Sequence, residues 1–269
     1  MPQGNFSANV DRFTGFADLY DRYRPSPPDA LAGLMTQFTG LARPSLVIDL
    51  GSGTGLSTRY WADKADRAIG VEPAPDMRRQ AEANTAAPNL SYCEGFSHAT
   101  GLPAQCAQVV VCMQSLHWMD PDGTFAEATR LLLPGGAFVV CDYDWPPMCG
   151  SWEADAAFAA CITTARRLEQ ERNVAANLRQ WSKAEHFTRM QASGCFRHLK
   201  DTAIHHQDTG NADRLVSLFL SQGYVMALRK SGISDDELGL NALRAIAQRT
   251  LGDRASPFLW CARVRLALA

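Results

Sequence analysis

Residues 46–55 read Leu-Val-Ile-Asp-Leu-Gly-Ser-Gly-Thr-Gly, an apolar run ending in three glycines at alternate positions, Gly51, Gly53 and Gly55. No other feature of the chain restricts its fold as tightly. The apolar stretch 46–50 is short and lies between Pro44 and Gly51, which is the pattern of a strand buried on both faces. Glycine tolerates positive φ and lets a ligand approach the backbone where a Cβ would collide. Three glycines between a strand and a helix weaken both elements, with no packing return to offset the loss. The helix that follows offers unpaired N–H groups and the positive end of its dipole. In an open parallel sheet such a turn lies at the carboxyl edge, where ligands bind.

The remaining pattern supplies that sheet. Strands are expected over 67–71, 90–93, 108–113 and 137–143, separated by helices over 54–64, 75–85 and 123–133. After Tyr143 the rhythm changes. Residues 151–192 look helical, 196–206 alternate like a strand, 211–251 read as two or three helices, and 258–268 as a last strand. The expected class is α/β: a Rossmann-like, doubly wound, mostly parallel seven-stranded sheet with helices on both faces and a helical insertion at about 150–195. Its 269 residues suffice for a full core without metals or disulfide staples. The 26 basic and 28 acidic residues leave a net charge of −2, which disfavours nucleic acid as a partner. No apolar run reaches the 18 residues of a membrane span and the N-terminus shows no signal-like apolar segment, so a cytoplasmic protein is expected. None of the eight cysteines forms a C-x-x-C pair, several sit inside apolar strand runs, and no metal site is expected. His205 and His206 are adjacent on a strand and face opposite ways, so they cannot share a metal.

The glycine spacing narrows the ligand. A dinucleotide fingerprint would be G-x-G-x-x-G, but here the third glycine comes one residue early and Leu56 holds its place. The phosphate-cradling G-x-x-x-x-G-K-[ST] is absent as well. Asp49, two residues before Gly51, would repel a pyrophosphate and suits a ligand with an ammonium or sulfonium group.

The run Val47-Ile-Asp-Leu-Gly-Ser-Gly-Thr-Gly55 resembles motif I of class I S-adenosylmethionine-dependent methyltransferases. Further stretches fit in order: Gly70-Val-Glu72-Pro, Asp76-Met77, Glu94-Gly95, Leu102-Pro103, Gln114-Ser-Leu-His117-Trp118 and Arg130-Leu-Leu-Leu-Pro134-Gly-Gly136. These are similar to the landmarks of the small-molecule branch that includes ubiquinone and menaquinone biosynthesis enzymes, and they cover residues 45–143. The segment from Phe13 to Pro25 resembles that branch's lid, which implies a lid over 1–30 and a methyltransferase domain over 31–269.

The resemblance implies S-adenosylmethionine as cofactor and a small-molecule acceptor, in a monomer or a dimer. Asp49, Gly51, Ser52, Gly53, Thr54 and Gly55 would form the cofactor turn, and Glu72 would accept from the ribose hydroxyls. Met77 would pack on the adenine, or simply in the core. The family often has Gly-Asp-Ala where this chain has Gly95-Phe96-Ser97, so the acid is missing and adenine would stack on Phe96 and meet the Ser97 N–H instead. Gln114 would contact the methionine moiety and Arg24 its carboxylate. His117 is the candidate general base, although a carboxylate or an acidic carbon would need none. Tyr20, Tyr23, Trp118, Tyr143, Trp145 and Trp152 are candidate pocket walls. Asp144-Trp145-Pro146-Pro147 looks like the N/D-P-P-Y/F turn of amino-methyltransferases, but it follows the fifth strand rather than the fourth. Two other readings remain open: a nicotinamide-dependent oxidoreductase on the same fold, and a non-catalytic protein that binds S-adenosylmethionine.

Overall fold

A computed structural model describes residues 7–269; the first six positions of the expected lid lie outside the described residues. Seven strands form one sheet: β1 (Val47–Leu50), β2 (Ala68–Val71), β3 (Leu90–Cys93), β4 (Ala107–Met113), β5 (Leu132–Tyr143), β6 (Arg197–Gly210) and β7 (Ser256–Leu268). Their order is β3-β2-β1-β4-β5-β7-β6. The first five pair in parallel, whereas β7 runs antiparallel to both β5 and β6. The chain winds outward from β1 in both directions, so the β1/β4 boundary is the switch point, and both Gly51 and Gln114 stand at its carboxyl edge.

The valines of β4 explain why this sheet is covered twice. Val109 and Val111 pack into one apolar cluster, and Val110 and Cys112 into the other, as side chains alternating along a strand must. The second cluster holds Phe125, Phe138 and Phe196, with Phe138 and Phe196 stacked at 5.1 Å between centroids.

Eleven α-helices among the described residues complete the layers: α1 (Ser7–Asp11), α2 (Ala17–Tyr23), α3 (Ala30–Thr39), α4 (Leu56–Tyr60), α5 (Pro75–Ala83), α6 (Pro121–Leu131), α7 (Trp152–Glu171), α8 (His186–Ala192), α9 (Ala212–Leu220), α10 (Gly223–Lys230) and α11 (Leu240–Thr250). Several begin where a side chain can satisfy a free N–H. Asp120 accepts from Gly123 N at 2.9 Å ahead of α6, and Asn211 accepts from Arg214 N at 3.0 Å ahead of α9. Ser151 does the same for α7, whose first turn also carries Glu153 and Asp155.

Several boundaries differ from expectation. The helix expected over 54–64 is the shorter α4, because Gly55 at φ +84° takes the cap position. The helix expected over 123–133 starts earlier, at Pro121, and gives way to β5 at Leu132. Leu132 pairs with Ala107 before the register breaks and resumes at Ala137 and Val109, which takes Pro134-Gly135-Gly136 into the strand. The helical cover is also larger than an insertion at 150–195. The α9–α11 segment lies between β6 and β7 and packs with α7 around Phe158, Ala165, Phe219 and Leu243. Cys112, Cys141, Cys149 and Cys161 are buried, and burial pushes their thiols above the ordinary range. No helix among the described residues is long and apolar enough to cross a membrane.

Candidate active site

Two cavities share a wall at the carboxyl edge of β1, β4 and β5. The first is a trough lined by Gly51, Ser52, Gly53, Glu72, Met77, Phe96, Ser97 and Gln114, with Asn9, Phe13, Tyr20 and Arg24 from the N-terminal segment. The second, of about 520 Å³, is lined by His117, Trp118, Tyr143, Trp145, Lys183 and Tyr224, among others. Arg24, Gln114, Trp118, Tyr143 and Trp145 border both.

The three glycines of the turn do different work. A Cβ on Gly51 would strike the Met119 side chain and come within 2.8 Å of Ser115 Cβ, and one on Gly55 would strike Tyr92. Those two positions are small because protein fills the space. Gly53, at φ +56°, has no protein atom within 4 Å of the position a Cβ would take, and it lines the trough. Only Gly53 leaves its open face to a ligand. The turn is braced from beneath: Gly51 N and Ser52 N donate to Val71 O at 2.8 and 3.2 Å, and Ser115 Oγ donates to Leu50 O at 2.8 Å.

Glu72 follows the end of β2. Its Oε2 accepts from Gly53 N at 2.9 Å and its Oε1 from Ala74 N at 2.8 Å. Burial nevertheless pushes its carboxyl up to about 7, against those two hydrogen bonds. The expected adenine end is on the trough wall too. Met77 is buried there, Phe96 stacks with His98 at 5.5 Å between centroids, and Ser97 Oγ lies 2.8 Å from Thr124 Oγ1. Gln114 takes φ +54°, an uncommon conformation for a residue with a side chain. Its Oε1 accepts from Lys183 Nζ, while its buried Nε2 has no hydrogen-bond partner. Ser52 Oγ is likewise buried without a partner. Unpartnered donors beside an open glycine fit a ligand with several oxygen acceptors, as an adenosyl amino acid has.

Several expected residues lie elsewhere. Asp49, Thr54 and Gly55 line neither cavity. Asp49 is buried beneath the turn, accepts from Ser57 Oγ and from Thr58 Oγ1 at 2.7 Å, and is pushed up to about 6 by burial, so it braces the start of α4. Tyr23 donates to Asp213 at 3.0 Å and borders neither cavity. Trp152, at the first position of α7, is 79% exposed and borders neither. His117 borders the second cavity and not the trough. Burial first, then the charge of Lys183, holds its imidazole well below the ordinary histidine range.

The second cavity also holds residues that sequence reasoning missed: Arg12, Arg166, Gln180, Lys183 and Tyr224. Asn9 joins α1 to this wall, its Nδ2 donating to Trp118 O at 2.9 Å and to Arg179 O at 2.8 Å. Behind His117, Asp142 Oδ1 lies 3.9 Å from its Nδ1, and Asp142 Oδ2 lies 3.8 Å from His186 Nε2. These three could ligate a metal by type, but Asp142 already pairs with Arg265 at 3.0 Å and Lys183 at 3.4 Å. Two cations on the one carboxylate make the cluster a poor host for a third.

The sheet order, the glycine turn at its switch point and the carboxylate after β2 are the arrangement that the resemblance to class I S-adenosylmethionine-dependent methyltransferases implies. Comparison with known proteins agrees: residues 48–140 match the family described as "Methyltransferase domain". An uncharacterized methyltransferase of Mycobacterium tuberculosis is 33% identical over 125 residues, 46% of this chain and 49% of that protein. A Saccharomyces cerevisiae protein described as a probable S-adenosylmethionine-dependent methyltransferase is 28% identical over 132 residues, 47% of this chain and 45% of that one. The chain thus spans about half the length of the curated relatives it matches. A solved Anaeromyxobacter dehalogenans protein, provisionally described as a type II methyltransferase, shares the fold with a TM-score of 0.68 and 21% identity, covering 91% of this chain and 98% of that one.

Proposed function

We propose that this chain binds S-adenosylmethionine in the trough and transfers its methyl group to a small molecule seated in the second cavity. The observation that carries the reading is that the trough, with its open Gly53, meets the second cavity at Gln114. The cofactor supplies an already activated methyl on a sulfonium, so the protein's contribution is positioning and exclusion of water. Gly53 lets the backbone come close, Glu72 accepts from ribose hydroxyls, and Phe96, Met77 and Ser97 hold the base. Gln114 Nε2 and Arg24 receive the amino-acid end.

The aromatic walls Tyr20, Trp118, Tyr143 and Trp145 keep water from the junction and favour a cationic sulfonium by cation–π attraction. The N-terminal helices and α7 act as the lid, held shut by the Asn9 hydrogen bonds and by the Arg12–Glu169 pair at 2.7 Å. His117 stays neutral at pH 7 and stands on the acceptor wall, where it takes the proton of an acceptor that must lose one.

The test is incubation with S-adenosylmethionine and a fractionated metabolite extract, followed by mass spectrometry. S-adenosylhomocysteine should form only with fractions that also yield a methylated compound, and His117→Gln should slow that turnover without weakening cofactor binding. If the protein binds S-adenosylhomocysteine yet no fraction supports its formation, the domain binds cofactor without transferring the methyl group.

A further inference from the structure

We infer that the second cavity is built for a small organic acid, bound as its carboxylate. This rests on the methyl-transfer reading for the ligand's role as acceptor, but the charge argument stands apart from it. Four cations border the cavity, Arg12, Arg24, Arg166 and Lys183, from four separate parts of the chain. The one carboxylate among the described residues on its wall, Asp144, lies 3.4 Å from Arg263.

The carboxylates behind the wall are shared. Glu169 meets Arg12 at 2.7 Å and Arg166 at 2.9 Å, and Asp142 meets Arg265 at 3.0 Å and Lys183 at 3.4 Å. Arg265 also lies 3.6 Å from Asp201, so six cations stand against four carboxylates. Among the described residues Arg24 pairs with no carboxylate, which leaves it for the amino-acid end of the cofactor: it donates to Ser221 Oγ and O, both at 2.9 Å, and sits between the Tyr20 and Trp145 rings at 4.8 and 4.7 Å.

The hydrogen-bond inventory points the same way. Arg12 has a side chain only 3% exposed and a buried Nε with no partner. A donor without an acceptor beside excess positive charge calls for a group that only accepts, and an ionised carboxylate is such a group. Bound cofactor does not remove the excess, because its carboxylate is outweighed by its ammonium and sulfonium. The aromatic rings between them would cover the acid's apolar body.

The full chain, saturated with S-adenosylhomocysteine, is titrated calorimetrically with adipate and phenylacetate, with the amides of both, and with phenyl phosphate. At least one acid should bind below about 1 mM and its amide at least about tenfold more weakly, as expected when a charged hydrogen-bond partner is lost. Arg166→Gln should weaken the acid by roughly 10–100-fold while leaving S-adenosylhomocysteine affinity unchanged; its side chain is 42% exposed, and thermal melting checks that the variant folds. Amides binding as well as acids, phenyl phosphate binding more tightly than either acid, an unaltered acid affinity in Arg166→Gln, or no acid binding by 10 mM would each overturn the inference. The titrations are repeated without S-adenosylhomocysteine. Acid binding with no cofactor binding would count against the methyl-transfer reading alone.

Discussion

Alanine at Gly53 separates a ligand-facing glycine from a structural one. Its added methyl meets no protein atom within 4 Å, so the folded state loses only what a left-handed φ of +56° costs a residue with a Cβ. That is about 1–2 kcal/mol, or a fall of roughly 2–8 °C in melting temperature for a domain of this size. The same methyl stands where the cofactor would meet the backbone, and overpacking of that kind costs about 1–3 kcal/mol, a roughly 5- to 150-fold loss of S-adenosylhomocysteine affinity. Gly51→Ala is the control. Its methyl would strike Met119 and approach Ser115 Cβ to 2.8 Å at an equally unfavourable φ, so its main effect is a larger fall in melting temperature. Calorimetric titration and thermal melting of both variants decide the matter. The reasoning fails if Gly53→Ala binds S-adenosylhomocysteine like the parent chain, or if it melts as early as Gly51→Ala.

Two further outcomes follow from the same geometry. Burial raises the Glu72 carboxyl from 4.5 to about 7, so its contribution to folding is full below pH 4.5 and is lost as pH rises through about 7. Ribose hydroxyls need the ionised form, so S-adenosylhomocysteine affinity should rise between pH 6 and 8, and Glu72→Gln should flatten that profile in a titration series. Trp152→Ala should leave both melting temperature and cofactor affinity unchanged within about 0.5 kcal/mol, since the ring is exposed and borders neither cavity; a loss of affinity would put α7 differently over the site.

What could be read from the sequence follows from what local pattern encodes. Strands buried on both faces write themselves as apolar runs, and β3 has the expected bounds while β4 departs from them by one residue. The glycine turn, Glu72, Phe96 and Gln114 stand at strand ends or just beyond them, with Met77 in the first turn of α5, and the pattern of strands is what singles these positions out in the sequence. Helix ends were not, since a left-handed Gly55 and the pairing of Leu132 with Ala107 depend on tertiary contacts. Arg12, Arg166 and Lys183 look like ordinary solvated charges in the chain. Their part in the second cavity appears only when Glu169, 157 residues from Arg12, lies between two guanidiniums. Asp142 and Arg265 became a pair only when β7 lay antiparallel to β5. Asp49 is the opposite case: its place beside the glycines suggests a ligand group, while Ser57 and Thr58 turn it inward.

A single calorimetric titration of the intact chain reaches the root of the account. S-adenosylhomocysteine should bind one to one with micromolar affinity, and NADH should give no heat. Silence with S-adenosylhomocysteine up to millimolar concentration, or saturable binding of NADH in its stead, would contradict it.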